Sequence, residues 1–91
     1  MGIIDYRTTI VFKLKDKIGA LCDALLPFKK NNISLTRIIS RPHSLKEWEY
    51  TFFVEIKGNQ KDLKVKKALK ELKKYTNYIH IYNNSYPLTM L

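Results

Sequence analysis

Apolar and polar residues alternate along two stretches of the chain. In Tyr6–Lys15 and in Trp48–Lys57 the even-numbered residues, apart from Thr8, are apolar. A side-chain period of two is that of a β-strand with one buried face. We therefore expect two strands whose even-numbered faces lie under helices. The opposite, open face is expected to carry Val11, Glu49, Phe53 and Glu55.

Two other stretches have apolar residues at helical spacing. Gly19–Lys30 is predicted to form a helix with a buried stripe of Leu21, Ala24, Leu25 and Phe28. Lys61–Tyr75 is predicted to form a second helix, buried through Val65, Ala68, Leu69 and Leu72 and prolonged by Tyr75. Pro27 is expected to kink the first helix or loosen its last turn, because it lacks an N–H. Asn31-Asn32 is expected to end that helix, since asparagine tolerates a left-handed backbone.

The remaining strands have weaker patterns. Ile33–Arg41 is rich in β-branched residues but alternates imperfectly, so a β-bulge is expected near Arg37-Ile38. Pro42 is expected to stop the ladder, with an exposed loop after it. Tyr78–Tyr82 is predicted as a short last strand, followed by a tail over Asn83–Leu91.

The predicted order is therefore βαββαβ, without a repeat, a linker or a low-complexity segment. This is the order of the α+β ferredoxin-like fold, a four-stranded antiparallel sheet with two helices on one face. With 91 residues, the chain is expected to be one domain over residues 1–91, with its core over 6–87. A domain of this size has little surplus stability, so we expect a homodimer or a higher oligomer.

The net charge of +9 allows two interpretations. Seven lysines lie between Lys61 and Lys74, either as a basic patch for nucleic acid or as the solvated face of a helix. The RNA-recognition motif shares the βαββαβ order, but its third strand should read K/R-G-F/Y-G/A-F-V-x-F/Y. Here Glu49–Ile56 reads EYTFFVEI, which lacks both glycines and places two carboxylates on the open face. We therefore favour the solvated helix face and expect no nucleic-acid partner.

Few residues indicate catalytic chemistry. His43 and His80 have no partner at metal-ligand or triad spacing, and Cys22 has no adjacent base. There is no glycine-rich phosphate loop and no carboxylate pair suited to general acid–base catalysis. The residue content indicates a chain that is not an enzyme by itself and needs no metal or cofactor. The single cysteine excludes a disulfide scaffold and favours the cytoplasm, and no apolar run is long enough to span a membrane.

Six short segments between Thr9 and Pro87 form a recognisable series. They are Gly19-Ala20-Leu21, Leu25-Leu26-Pro27-Phe28, Ile33-Ser34-Leu35-Thr36-Arg37-Ile38, Ser40-Arg41-Pro42, Trp48-Glu49-Tyr50-Thr51-Phe52-Phe53-Val54 and Ser85-Tyr86-Pro87. In this order they resemble an ACT domain, most closely the regulatory ACT domain of prephenate dehydratase, an enzyme of phenylalanine biosynthesis. The resemblance implies the ferredoxin-like fold, no cofactor, and allosteric inhibition of a dehydratase catalytic domain present in cis or in trans.

The resemblance also implies a binding site for L-phenylalanine or a related amino acid at a subunit interface. Its residues, carried over onto this chain, are Gly19, Ala20, Leu21, Ile39, Ser40, Arg41 and Pro42. Free amides at a helix N-terminus suit the carboxylate of the amino acid, and an apolar pocket suits its ring. Arg41 can supply a fixed charge, or an ion pair that holds the loop or the neighbouring subunit.

The chain departs from that family at two places. Ile39 stands where the family has Glu before Ser-Arg-Pro, a change expected to alter or abolish ligand binding. Asn83-Asn84 stands where the last strand usually has Leu-Gly, which is a milder change because asparagine accepts a left-handed backbone. Two alternatives remain open, which are the related ACT domain of an aromatic amino acid hydroxylase and a free-standing amino-acid sensor. Trp48-Glu49-Tyr50 and Ser85-Tyr86-Pro87 favour the dehydratase.

Overall fold

The computed structural model describes residues 4–15, 19–43 and 46–87. The elements follow the predicted order and are β1 Ile4–Lys15, α1 Ala20–Lys30, β2 Leu35–His43, β3 Lys46–Lys57, α2 Leu63–Leu72 and β4 Ile79–Pro87. The strands form one antiparallel sheet in the order β2-β3-β1-β4, and both helices pack into the core on one of its faces. The ferredoxin-like α+β fold predicted from the sequence is confirmed.

The alternation in β1 and β3 gives the sheet one buried face, which we call the helix face. Ile10 lies opposite Val54, and Phe12 lies opposite Phe52. All four side chains are at most 8% exposed, and the Phe12 and Phe52 ring centroids are 5.7 Å apart. The even-numbered residues are therefore buried as predicted over Thr8–Leu14 and Phe52–Ile56, whereas Tyr6 is 48% exposed and Tyr50 is half-buried. The odd-numbered residues form the open face.

The first helix ends as predicted. Asn31 donates a side-chain hydrogen bond of 2.7 Å to the carbonyl of Pro27, and Asn32 has a φ of 55°. The two helices cover the helix face with Ala24, Phe28, Val65, Ala68, Leu69 and Leu72.

The second helix is shorter than predicted at both ends. Asp62 has an extended backbone, and its carboxylate accepts a hydrogen bond of 3.1 Å from the N–H of Asn59. Asp62 is therefore the N-cap that precedes the first helical turn. Beyond Leu72, the N–H of Tyr75 bonds to a carbonyl three residues back, and the Tyr75 side chain is 44% exposed. The prediction that Tyr75 prolongs the buried stripe is wrong, because the chain leaves the α-helix before it.

The second strand continues past Pro42, contrary to the prediction. β2 is at the edge of the sheet and pairs only with β3. A proline is tolerated in an edge strand, whose outer side has no ladder to interrupt. Pro42 lies opposite Tyr50, and His43 lies opposite Lys46. His43, Lys46 and Glu47 therefore belong to strands, although they were predicted to lie in a loop. The register shift between Leu35 and Arg37 places the bulge just before the predicted position.

The last strand is also longer than predicted. β4 continues through Asn83 to Pro87, and Pro87 lies opposite Ile4. The first half of β1 therefore pairs with residues Asn83–Pro87, although their sequence pattern alone predicts an irregular tail. The prediction of an irregular segment after Tyr82 is wrong up to Pro87.

Thr8 is a polar residue within the buried face, and its hydroxyl group is satisfied. It is 0% exposed and donates a hydrogen bond of 2.8 Å to the carbonyl of Gly58. Replacing Thr8 with valine is expected to lower the free energy of unfolding by about 0.5–1.5 kcal/mol, because the shape is kept while the half-buried carbonyl of Gly58 loses its donor. Urea unfolding measures the loss, with Thr8→Ser as the control that keeps the hydroxyl. A smaller loss for valine than for serine would contradict this role.

Candidate functional site

The Gly-Ala-Leu segment lies at the beginning of α1. Gly19 is exposed with a φ of 76°, and its carbonyl accepts a hydrogen bond of 2.9 Å from the N–H of Asp23. A Cβ built on Gly19 would have no heavy atom within 4 Å apart from its chain neighbours. A ligand can therefore approach the backbone closely at this position. Ala20 and Leu21 are half-buried and pack against the edge of the core.

The register of β2 divides the other four predicted site residues between the two faces of the sheet. Ser40 and Pro42 lie opposite even-numbered residues of β3, which places them on the helix face. Ile39 and Arg41 lie opposite odd-numbered residues, which places them on the open face. All four are exposed.

The Gly-Ala-Leu segment and the end of β2 lie at the same end of the sheet. Lys15, the last residue of β1, lies opposite Glu49, and Pro42 lies opposite Tyr50. Since β3 runs between them, the ends of β1 and β2 are about 10 Å apart. The structure thus brings Ser40 and Pro42 to the same face and the same end as the beginning of α1, whereas Ile39 and Arg41 face away.

The helix face of β2 is apolar and largely uncovered. Leu35 lies opposite Ile56, and Ile38 lies opposite Val54. Although these two partners are fully buried, Leu35 and Ile38 remain 41% and 46% exposed. We call Leu35, Ile38, Ser40 and Pro42 the β2 strip. Pro42 of the strip lies opposite Tyr50, which is half-buried against the core, as are Leu21 and Leu25 of α1.

Sequence reasoning missed Leu35, Ile38 and Tyr50 as site candidates. The sequence did contain one indication. Leu35 is odd-numbered and Ile38 is even-numbered, so the two side chains share a face only if an extra residue lies between them, as Thr36 does in the structure. The sequence pattern alone does not show whether the bulge comes before or after Ile38.

The open face carries charged and aromatic side chains. The Arg41 guanidinium lies 5.9 Å from the centroid of the Phe53 ring, within the range of a cation–π contact. Glu55 accepts hydrogen bonds from the Arg7 guanidinium (3.1 Å) and the Thr36 hydroxyl (2.7 Å). Beside these groups is a cavity of about 310 Å³, lined by Thr9, Arg37, Ile39, Arg41, Phe53 and Glu55.

A larger cavity, of about 470 Å³, lies between the beginning of α1 and the connection from α2 to β4. Of the predicted site residues, only Ala20 lines it. Its wall mixes cations, carboxylates and two phenol rings, and includes Lys13, Lys15, Lys74, Asp23, Glu49, Tyr75 and Tyr78. The Lys13 ammonium lies 4.5 Å from the centroid of the Tyr78 ring.

Among the described residues, two candidate chemical groups lie outside these cavities, the side chains of His80 and Cys22. His80 packs its ring against Tyr82 at a centroid distance of 4.5 Å, and Cys22 is exposed. Among residues 4–15, 19–43 and 46–87, no group of three or more His, Cys, Asp or Glu side chains is placed to hold a metal ion. Neither described helix has the length and apolar character needed to cross a membrane.

Comparison with known proteins identifies the family. Residues 8–74 match the sequence model of the ACT domain. Over 85 residues the chain is 46% identical to the bifunctional chorismate mutase/prephenate dehydratase of Aquifex aeolicus, and over 85 residues it is 39% identical to the prephenate dehydratase of Methanocaldococcus jannaschii. These matches cover 93% and 92% of this chain but only 23% and 30% of those proteins. The chain thus spans less than a third of the length of either relative.

A solved structure agrees with this assignment. The prephenate dehydratase of Arthrobacter aurescens, determined in complex with L-Phe, superimposes with a TM-score of 0.79 and 31% identity. The superposition covers 90% of this chain and 27% of that one. The sequence match and the βαββαβ order of elements lead to the same conclusion: this chain belongs to the ACT domain family.

Proposed function

We propose that this chain is a regulatory domain that senses L-phenylalanine and controls a prephenate dehydratase by feedback. Three observations support the proposal: the ACT family match, the similarity to dehydratases, and the L-Phe complex of the Arthrobacter aurescens enzyme. The chain itself is non-catalytic in this proposal and acts in the cytoplasm on a dehydratase catalytic domain, in cis or in trans.

The observation that carries the proposal is the uncovered β2 strip. An exposed apolar surface beside an open helix N-terminus is half of an amino-acid pocket. We place the carboxylate of the ligand at the first amides of α1, next to Gly19, where the backbone is accessible. The ring of the ligand packs against Leu21 and against Ile38 of a second copy, which closes the pocket.

The second copy pairs along β2 in this proposal. β2 is an edge strand, and large apolar side chains are exposed on both of its faces, Leu35 and Ile38 on one and Ile39 on the other. A long edge strand of this kind is a ready site for pairing with another chain. A two-fold axis beside β2 would give each dimer two equivalent pockets, because an isologous interface uses the same surface twice.

The position of Ile39 indicates what its replacement of the family's glutamate does to ligand binding. Its side chain is on the open face, opposite Phe53, and the proposed pocket is on the helix face. We therefore propose that isoleucine in place of glutamate leaves phenylalanine binding intact, and that Ser40 and Pro42 are the members of the segment that line the pocket.

Isothermal titration calorimetry with L-phenylalanine, L-tyrosine and L-tryptophan tests the proposed function. Phenylalanine is expected to give saturable heat and to raise the thermal midpoint, since a ligand that binds only the folded state stabilises it. Sedimentation is expected to show a dimer. The absence of both heat and a thermal shift at millimolar phenylalanine would remove the sensing proposal and leave the fold as described.

A further inference from the structure

The side of α2 that faces away from the sheet carries an exposed leucine among lysines. The buried stripe of this helix consists of Val65, Ala68, Leu69 and Leu72. A helix turns by about 100° per residue, so Leu63, Lys67 and Lys70 lie within about 30° of the direction opposite the centre of that stripe. The exposed fraction of Leu63 is 76%, the highest among the exposed large apolar side chains of the described residues.

Leu26 takes the corresponding position on α1. The buried residues of this helix are Ala24, Pro27 and Phe28, and the same rotation places Leu26 on the side away from them. Its exposed fraction is 42%. Because both helices pack on one face of the sheet, their outward sides face the same direction. We call Leu26, Leu63 and the six lysines of α1 and α2 the outer helix surface.

The lysines make this surface strongly cationic. They are Lys29, Lys30, Lys64, Lys66, Lys67 and Lys70. All six are exposed, and none forms an ion pair with a carboxylate of the described residues. The two helices carry only two carboxylates, Asp23 and Glu71. Lys66 and Lys70 are four residues apart on one helix, where like charges repel each other. An anionic partner would relieve this repulsion and complement the charge of the surface.

The two leucines indicate which anionic partner fits. A nucleic acid presents hydrated phosphates, among which an exposed leucine finds no apolar contact. Neither helix has an arginine or an exposed aromatic ring on which a base could stack. A lipid bilayer, in contrast, offers anionic headgroups to the lysines and acyl chains to the leucines. The combination of exposed leucines and lysines therefore favours a membrane surface.

We propose that the outer helix surface binds reversibly to an anionic lipid bilayer. The lysines contact the headgroups, and Leu26 and Leu63 enter the boundary between headgroups and acyl chains. The helices lie on the membrane, since their apolar stripes are buried against the sheet. Binding depends on both signals, charge and apolar insertion, and is expected to weaken as salt is added. It uses no residue of β2 and does not depend on phenylalanine.

Titration of the chain with phospholipid vesicles tests this proposal, with vesicle flotation as the measure of the bound fraction. Vesicles of equal parts phosphatidylcholine and phosphatidylglycerol are expected to bind the chain. Vesicles of phosphatidylcholine alone are expected to bind it at least about tenfold more weakly. Equal binding to the two kinds of vesicle, or binding to neither, would overturn the proposal.

A pair of neutral substitutions tests the apolar contribution. Leu63→Gln is expected to weaken binding to the anionic vesicles about tenfold, because it removes an apolar side chain without changing the charge. Tyr82→Gln is the matched control, since Tyr82 is 52% exposed and lies on the open face, opposite Thr9. It is expected to change binding less than about twofold. If the two variants bind alike, the leucine does not enter the bilayer and the proposal is wrong.

A pair of charge substitutions tests the position of the contact. Lys67→Gln is expected to weaken vesicle binding about fivefold, whereas Lys57→Gln, an equal charge loss at the exposed end of β3, is expected to change it less than about twofold. Equal effects would show that net charge alone determines binding, which contradicts a defined surface. A random-sequence DNA duplex that binds more tightly than the vesicles and is unaffected by Leu63→Gln would identify a nucleic acid as the partner instead.

Discussion

Replacing Ile38 with glutamate is expected to give a folded monomer that no longer binds phenylalanine. Ile38 is 46% exposed in the single chain, so the substitution costs the isolated domain little. In the proposed dimer the same position is buried, and it occurs twice because the interface is two-fold. Burying an unpaired carboxylate is strongly unfavourable, and a cost of about 3 kcal/mol already weakens association more than a hundredfold.

Sedimentation and calorimetry on the same samples measure both effects of Ile38→Glu. Tyr82→Glu is the matched control, because Tyr82 is 52% exposed on β4, at the other edge of the sheet. That variant is expected to keep the dimer and the binding heat. If Ile38→Glu stays dimeric and binds phenylalanine as the parent chain does, the interface does not involve the β2 strip.

Replacing Phe12 with alanine is expected to lower the free energy of unfolding by about 3–5 kcal/mol. Phe12 is 0% exposed, on the central strand β1, and its ring packs against that of Phe52. The substitution leaves a cavity that the strands on either side cannot close. Since domains of this size have a total stability of about 5–15 kcal/mol, the loss is a large fraction of the whole.

Urea unfolding at one fixed protein concentration measures the effect of Phe12→Ala, because dimerisation makes apparent stability depend on concentration. Phe53→Ala is the comparison, since Phe53 is the adjacent residue to Phe52 but lies half-buried on the open face. It is expected to cost clearly less than Phe12→Ala. Equal costs would mean that the helix face is not the principal core.

The central strands and the buried stripes of the helices were predictable from the sequence, and the edges were not. In β1 and β3 one face is buried over Thr8–Leu14 and Phe52–Ile56, so a single period of two specifies both the strand and its orientation. Val11 shows the limit of this rule, because it lies on the open face as expected and is still only 7% exposed. A central strand can bury an apolar side chain on either face through its two neighbours.

The ends of the edge strands were harder to predict, because the length of such a strand depends on the strand it pairs with and not on its own sequence pattern. Pro42 ends a central strand but is compatible with β2, whose outer side is unpaired. Asn83 and Ser85 interrupt the apolar pattern of β4, yet each lies opposite a residue of β1 that provides a ladder. The lengths of β2 and β4 therefore depend on the neighbouring strand as well as on the residues of the strand itself.

The same limitation applies to the candidate site. The family resemblance assigned all four residues from Ile39 to Pro42 to one binding site. Consecutive residues of a strand point to alternate faces of the sheet, so the four cannot all lie on the same face. Only the register with β3 shows that Ser40 and Pro42 lie on the face of the sheet that carries α1, whereas Arg41 lies on the opposite face. Leu35 and Ile38 entered the site for the same reason, since a bulge between them restores their common face.

The length of β1 has a mechanical consequence. Its first residue, Ile4, lies opposite Pro87, and its last residue, Lys15, is at the end of the sheet where α1 begins. The twelve residues of the strand span about 40 Å, within a molecule whose longest dimension is 48 Å. A rigid tilt of about 10° that pivots at the Lys15 end would therefore displace the Ile4–Pro87 end by about 7 Å. Under the proposed function, a small adjustment around the bound amino acid would therefore become a large movement of the Ile4–Pro87 end of the sheet.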